Sequence, residues 1–256
     1  MNKLTMLGTV VIGAALAAAP EAQQGQLKVL TAGAFRQVVV AMVPDFEKQT
    51  GQKVVIENDT VGALAKRIAG GERFDVAIVS PEVVDDLVKK GTIAEGTKAL
   101  LARVGVGVMV RDGAPRPDVS TVDKFKQAVL AAKTVAYSDP AAGASSGIYV
   151  AKLFERMGIA DQVRPKAKLK HGGAVADLLV SGEAELGIHQ ISEIIPVKGV
   201  TLIAPLPKEI QNYTVYAAGV AAGSANGERA RALVKFLGGP TAADVYKAKG
   251  MEPAGS

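Results

Sequence analysis

The sequence predicts an α/β fold in which short parallel strands alternate with helices. Three apolar runs, LKVLTAGAF (27–35), QKVVIEND (52–59) and FDVAIVS (74–80), are rich in valine, isoleucine and leucine. Strands have this composition when helices cover both faces of their sheet. Segments of helical character separate the runs, so the pattern of strand, loop and helix repeats until a third strand closes the unit.

Small or hydroxylated residues follow each of these strands: Gly33 and Ala34, then Thr60 and Val61, then Ser80. Small residues let the backbone approach a ligand, and the first N–H groups of the next helix are unpaired and partly positive. Ligands of open α/β sheets lie beyond the carboxyl ends of the strands. We therefore expect a small anion to bind where these loops meet.

A second α/β set follows. Ser120-Thr-Val-Asp123 has the form of a capping box, with Asp in the usual place of Glu, and predicts a helix that runs to about Ala132. Strand, helix and strand are then predicted in turn at TVAYSD (134–139), GASSGIYVAKLFERMG (143–158) and ELGIHQ (185–190).

Two crossovers are predicted to join the sets, near Val106–Arg111, where an apolar run meets Gly- and Pro-rich turn signals, and near Gln211–Ala217. Two terminal helices, at about 226–238 and 240–249, would then rejoin the first set. The resulting division places residues 23–106 and 213–256 in lobe 1 and residues 107–212 in lobe 2.

Residues 1–22 have the layout of a secretory signal peptide: Lys3, an uncharged apolar run from Leu4 to Ala19, then small and polar residues. The run is too short for a comfortable membrane span, so we expect export to the periplasm and a mature start between about Ala18 and Gln24. A retained amphiphilic anchor is the alternative. The chain contains no cysteine, which excludes disulfides, thiol catalysis and Cys-ligated metal.

The formal net charge is +5, from 30 basic and 25 acidic residues. A mild excess of this kind attracts anions without indicating nucleic acid. The basic residues are scattered except for PKAKLKH (165–171), and aromatic residues make up only 4% of the chain. The chain therefore has few aromatic side chains on which bases could stack, and we expect no nucleic-acid partner.

An enzyme interpretation competes with anion binding. Gly143–Gly147 has the G-x-S-x-G spelling of a nucleophile elbow around Ser145, and Asp161 or Asp177 followed by His189 would complete the order of a secreted serine hydrolase. An elbow needs its serine directly after a strand, whereas a loop precedes Ser145 here. Metal-ligand spacings and nucleotide-binding glycine motifs are also missing from the sequence, so we expect no catalytic residue, metal or cofactor.

Five segments together resemble the periplasmic molybdate-binding, type II solute-binding proteins of ABC importers. They are LKVLTAGAF, DTVGALAKRIAGGERFDVAIVS, SDPAAGASSGIYVAKLFERMG, ELGIHQISE and GPTAADVYKAKGM. The resemblance spans essentially the whole mature chain. It implies the type II binding-protein fold with two lobes, a hinge of two crossovers, an anion bound between the lobes and a partner permease in the inner membrane.

The same resemblance suggests that the ligand differs from molybdate. Family members place a serine where this chain has Ala34, and a serine pair where it has Thr60 and Val61. Each charge-assisted hydrogen bond lost to a buried anion costs about 1.5–3 kcal/mol. An organic carboxylate is therefore favoured over an oxyanion, and an exported ligand sensor remains an alternative role.

Replacement donors are expected from side chains near the loops. Family members often carry a tyrosine where His189 and Gln190 follow the ELGI strand, and Ser146 falls at a position whose N–H is used in the family. The predicted ligand-binding residues are Gly33, Ala34, Arg36, Thr60, Val61, Ser145, Ser146, His189 and Gln190. Arg67 is a further candidate. We expect the protein to be a monomer.

Overall fold

The structure, a computed structural model, describes residues 25–255. The predicted signal peptide therefore lies outside the described residues. The described residues form one ten-stranded sheet with helices on its faces. Numbered in chain order, the strands are β1 (Leu27–Ala32), β2 (Val54–Asp59), β3 (Val76–Val79), β4 (Ala99–Arg111), β5 (Val135–Ser138), β6 (Ala167–Lys170), β7 (Leu186–Gln190), β8 (Val200–Pro205), β9 (Tyr213–Val220) and β10 (Glu252–Pro253). They run in the order β2-β1-β3-β9-β4-β7-β5-β6, with β8 and β10 paired to β4 off this path. In the described part of the chain, no helix is long and apolar enough to cross a membrane.

The first strand set forms as predicted. Strands β1, β2 and β3 are parallel and alternate with helices, and β1 lies between the other two. All four residues of β3 are buried, which agrees with helices on both faces. The elements of this set are β1 (Leu27–Ala32), α1 (Gly33–Thr50), β2 (Val54–Asp59), α2 (Val61–Ala69), β3 (Val76–Val79) and α3 (Pro81–Lys89).

Strand β4 (Ala99–Arg111) belongs to both halves of the sheet. Its residues up to Gly105 pair with antiparallel β9 (Tyr213–Val220). From Val106 onward it pairs with β7 (Leu186–Gln190) on one side and with β8 (Val200–Pro205) on the other. The change of partners falls near the predicted crossover, but inside an uninterrupted strand rather than in a turn.

The second strand set contains the predicted helices and strands with small shifts. The first helix is capped by Thr121 rather than Ser120, because the Thr121 hydroxyl accepts a hydrogen bond from the Lys124 amide. Besides β7 and β8, the set comprises α4 (Val122–Ala131), β5 (Val135–Ser138), α5 (Ser145–Arg156), α6 (Ala160–Val163), β6 (Ala167–Lys170), α7 (Ala176–Val180) and α8 (Ile191–Ile194). Short 3-10 turns lie at Pro140–Ala142, Arg164–Lys166 and Lys208–Ile210.

The C-terminal segment packs against the first strand set. It forms α9 (Gly227–Leu237), α10 (Ala242–Ala248) and β10 (Glu252–Pro253). Strand β10 pairs with the start of β4, where Arg103 and Glu252 form an ion pair at 2.7 Å.

Each strand set has its own apolar core. In the first, Phe35 lies 6.0 Å from Tyr216 and 5.9 Å from Tyr246 between ring centroids. In the second, Phe154 meets Tyr137 edge to face at 5.6 Å. Full burial of one such side chain contributes about 1.5–3 kcal/mol. The cores fix the strand ends that meet between the two sets.

Candidate functional site

A cavity of about 100 Å³ lies where the carboxyl ends of β1, β2, β5 and β7 converge. A single water needs only about 10–15 Å³ of such space, so the cavity has room for a ligand of several atoms. Its lining is formed by Ala32, Gly33, Ala34, Asn58, Asp59, Thr60, Val61, Ser138, Ala144, Ser145, Ser146, Gly172, Gly173, His189, Gln190, Glu193 and Tyr216.

Three helices of nine residues or more begin at this cavity. They are α1 at Gly33, α2 at Val61 and α5 at Ser145. The first N–H groups of a helix have no partner within it, and each helix start favours a nearby anion by about 0.3–1 kcal/mol. The backbone therefore supplies anion donors from both strand sets.

Two contacts between the strand sets close the cavity on one side. The Gly62 amide donates to the Gly143 carbonyl oxygen at 3.2 Å, and the Thr60 hydroxyl donates to the Ala142 carbonyl. The Thr60 hydroxyl oxygen also caps α2 by accepting from the Ala63 amide at 3.1 Å. Because its proton is donated to the Ala142 carbonyl, the Thr60 hydroxyl links the two strand sets and has no proton left to donate to a ligand.

Gln190 and Tyr216 connect the two strand sets at the base of the cavity. The Gln190 side-chain amide donates to the Tyr216 hydroxyl at 3.0 Å, and the tyrosine oxygen lies 3.2 Å from the amide oxygen of the same glutamine. Burial, and then the nearby Glu193 carboxylate, raise the pKa of Tyr216. Tyr216 is therefore a neutral hydrogen-bonding group across the physiological pH range.

His189 and Glu193 form the ionisable pair of the cavity. The His189 Nε2 and Glu193 Oε2 atoms are 3.4 Å apart, and the two side chains are 3% and 19% exposed. The other carboxyl oxygen, Oε1, lies only 2.8 Å from the position that a Cβ atom on Gly33 would occupy. Burial raises the pKa of Glu193, and the charge of His189 opposes the shift.

The cavity lining contains no lysine or arginine among the described residues, although it contains Asp59 and Glu193. Two like charges 4 Å apart repel by about 4 kcal/mol at an effective dielectric constant of about 20. A single helix start offsets only about 0.3–1 kcal/mol of this. An anion next to an ionised Glu193 would therefore be poorly held.

The structure places all the predicted ligand-binding residues around this cavity except Arg36. Arg36 is half-buried on α1 but does not belong to the lining. Arg67, the further candidate, is bound elsewhere: its guanidinium group donates to Glu72 and to Glu57. Both arginines were reasonable replacements for the missing hydroxyls, but the fold does not bring them to the cavity.

Several lining residues were not predicted as ligand contacts. Asn58 and Asp59 end β2, Gly172 and Gly173 follow β6, and Tyr216 lies in β9. Glu193 also lines the cavity and was not predicted as a ligand contact. No helical spacing pointed to it, because His189 lies in β7 and Glu193 in the helix that follows.

The nucleophile-elbow interpretation has no geometric support. Strand β5 ends at Ser138, and a 3-10 turn at Pro140–Ala142 separates it from Ser145. Ser145 begins a helix and lines the same cavity as His189, but the described residues show no hydrogen bond between the two side chains. The described residues also hold no group of three or more potential metal ligands.

Comparison with known proteins matches residues 27–252 to the family described as bacterial extracellular solute-binding protein. A protein named aconitate isomerase, from a Pseudomonas species, is 34% identical over 257 residues, which cover 96% of this chain and 97% of that protein. The molybdate-binding protein ModA of Escherichia coli (strain K12) is 26% identical over 251 residues, 96% of each chain.

The fold is shared with a solved structure, the periplasmic molybdate-binding protein of Azotobacter vinelandii. The two structures superpose with a TM-score of 0.75 at 22% identity, covering 88% of this chain and 98% of the other. The predicted resemblance and the predicted type II fold are thereby confirmed.

Proposed function

Because the chain belongs to the family of bacterial extracellular solute-binding proteins, we propose that it captures a small organic polycarboxylate for an ABC importer. The family itself implies a small ligand and a permease partner. A periplasmic location, reached through the signal peptide at residues 1–22, and a monomeric state belong to the same proposal.

The mixed character of the lining carries this proposal. The methyl groups of Ala34 and Val61 stand at two helix starts, next to Ser145 and Ser146 at the third. A tetrahedral oxyanion presents oxygen in every direction and needs a donor for each oxygen. A polycarboxylate presents carboxylate oxygens to the helix starts and a carbon skeleton to the methyl groups. The name of the 34% identical relative supports the same ligand class, since aconitate is a tricarboxylate.

Calorimetry with a panel of anions tests the ligand class. Tricarballylate, citrate and trans-aconitate are compared with molybdate, tungstate and sulfate. We expect at least one tricarboxylate to bind at least about a hundredfold more tightly than any oxyanion, a difference of about 2.7 kcal/mol. Molybdate binding that is tighter than that of every carboxylate would show that backbone donors suffice for the oxyanion.

Ala34→Ser is the matched variant, since it restores one hydroxyl at the start of α1. We expect this variant to bind molybdate several-fold more tightly and to bind tricarboxylates with unchanged or weaker affinity. Unchanged molybdate binding would mean that Ala34 does not decide the selectivity.

Isomerisation of an unsaturated tricarboxylate is the second candidate function. The observation that favours it is the His189–Glu193 pair in the cavity, with atoms 3.4 Å apart. A one-proton allylic shift breaks a C–H bond next to a carboxylate, moves the double bond and returns the proton to the other allylic carbon. The pair contains both a proton acceptor and a proton donor for these two steps.

Proton NMR of trans-aconitate in D₂O, incubated with the protein, tests the isomerase. Turnover would appear as the cis isomer together with deuterium incorporation, and His189→Gln should remove it. The same variant should retain binding of tricarballylate, which has no double bond to shift. If wild-type protein binds trans-aconitate without isomerisation or exchange, the transport role stands alone.

A further inference from the structure

The Glu193 carboxyl group lies at the start of α1, one of the three helix starts at the cavity. Glu193 is the third residue of α8, which begins directly after β7. One carboxyl oxygen lies over Gly33 at the start of α1, and the other faces His189. Any ligand carboxylate that uses the start of α1 must therefore lie beside Glu193.

The other ionisable groups around Glu193 offer no permanent positive charge. His189 faces it from β7 and Tyr216 from β9, and Asp59 lines the same cavity at the end of β2. The charged residue near the start of α1 is Arg36, which does not line the cavity. Strands β4 and β8, which also pack against α8, contribute no residue to the lining.

A protonated His189 is the remaining source of counter-charge, and its surroundings do not suit an imidazolium. The Nδ1 atom of His189 is buried and has no hydrogen-bond partner among the described residues. A doubly protonated ring would bury an unpaired N–H donor together with a charge, and both are costly in a closed site. A neutral ring leaves Nδ1 as an acceptor only.

We propose that Glu193 is a neutral carboxylic acid in the ligand-bound cavity and donates its O–H group to a carboxylate oxygen of the ligand. This inference rests on the proposed function insofar as the ligand is a polycarboxylate. Each ligand is then captured with Glu193 in its protonated form, and binding takes up a proton wherever the free protein has Glu193 ionised. The raised pKa of Glu193, which follows from its burial, acts in the same direction.

Ligand affinity should therefore depend on the uptake of one proton. Above the pKa of Glu193 in the free protein, affinity should fall by up to about tenfold for each pH unit. Glu193→Gln supplies a neutral N–H donor of similar shape, so it should bind in a way that does not vary with pH. Its affinity at high pH should exceed that of the wild type.

Infrared difference spectroscopy of the complex with tricarballylate is the deciding experiment. We expect the carbonyl stretch of a protonated carboxylic acid that disappears in Glu193→Gln. Calorimetry with the same probe, in two buffers of different ionisation enthalpy, measures proton uptake from about pH 7 to about pH 9, where ordinary carboxylates are ionised. An ionised Glu193 in the complex, or proton uptake that persists in Glu193→Gln, overturns the inference.

The outcomes separate this inference from the proposed function. Binding of tricarballylate with an ionised Glu193 removes the inference and leaves the polycarboxylate function in place. If tricarballylate does not bind, the proposed function is wrong. The infrared spectrum of the molybdate complex then decides the state of Glu193 by the same band.

Discussion

Gly62 and Gly143 touch at one side of the cavity with no room for a side chain on either residue. A Cβ atom on Gly62 would lie 2.8 Å from the Gly143 Cα, and one on Gly143 would lie 2.7 Å from the Gly62 Cα. The Gly62 amide also donates to the Gly143 carbonyl at 3.2 Å. The closed arrangement thus depends on backbone contact between two glycines from different strand sets.

Gly62→Ala should hold the cavity open without disturbing the fold. Gly62 lies in α2, and alanine is a better helix former than glycine. Alanine gains up to about 1 kcal/mol in helix propensity, whereas separating the two backbones loses a hydrogen bond of about 0.5–1.5 kcal/mol. The free energy of unfolding should therefore change by no more than about 1 kcal/mol, while ligand affinity falls at least about tenfold, or about 1.4 kcal/mol. Calorimetry gives the affinity, and small-angle scattering of the liganded protein should show a larger radius of gyration.

Gly227→Ala is the matched control for that experiment. Gly227 begins α9, and a Cβ atom there would meet only Arg231 at an ordinary 3.5 Å. Ligand affinity should be unchanged in this variant. Equal losses of affinity in the two variants would mean that the Gly62–Gly143 contact has no part in closure.

Gly33→Ala tests the position of the Glu193 carboxyl group. The added methyl group would need the space of the Glu193 Oε1 atom, 2.8 Å away, and a flexible side-chain end can move at little cost. We expect stability within about 0.5 kcal/mol of wild type, as for substitutions away from packed features. Ligand affinity should fall several-fold, and its pH dependence should change because Glu193 is displaced. An unchanged pH dependence of ligand affinity would mean that Gly33 does not fix the position of the Glu193 carboxyl group.

The first strand set could be predicted because its signals are local. Strands β1 and β3 are continuous apolar runs, and the loops after them contain the small residues that ligand sites at strand ends require. The structure places Gly33, Val61 and Ser145 at three helix starts around one cavity. Adjacency in sequence was sufficient there.

Strand β4 was harder to predict because its glycines imitate turn signals. Gly107 lies within the strand, and a Cβ atom there would come within 2.7 Å of the Leu202 side chain and 2.9 Å of Ile191. The absence of a side chain therefore serves close packing between strands rather than a turn. Only the tertiary structure distinguishes these two uses of glycine.

The rest of the cavity lining was predicted less well because it comes from distant segments of the chain. Tyr216 reaches the cavity from β9 and Gly172 from the loop after β6, and no local pattern connects them to β1. Arg67 lies six residues after the start of α2, or about 9 Å along the helix, which carries it away from the cavity edge. Proximity in sequence to a binding loop was a poor guide for both arginines.

Glu193→Gln should change how stability depends on pH. The folded state raises the pKa of Glu193 above its ordinary value of 4.5, so the folded protein binds more protons than the unfolded chain between the two values. Stability then falls as pH rises from the unfolded pKa to the folded pKa, and is constant above it. Glutamine does not ionise, so the variant should match the wild type below the unfolded pKa and exceed it at neutral pH.

Urea denaturation of both proteins at a series of pH values measures this difference. A Glu193→Gln variant that is less stable than wild type at neutral pH would mean that an ionised Glu193 stabilises the fold.

Arg67→Ala and Arg36→Ala should leave ligand affinity within about twofold of wild type, or about 0.4 kcal/mol.

Arg67 instead forms ion pairs with Glu57 and Glu72, and Lys28 lies 2.9 Å from Glu72 in the same cluster. The Arg67 hydrogen bond, followed by that of Lys28, lowers the pKa of Glu72 to about 2. Because a lowered carboxyl pKa stabilises the fold above the unfolded value and this contribution is lost on acidification, Arg67→Ala should unfold at higher pH than wild type. Acid titration followed by circular dichroism measures this shift, and Arg36→Ala is the control that should not show it. A large loss of ligand affinity in either variant would place that arginine in the site after all.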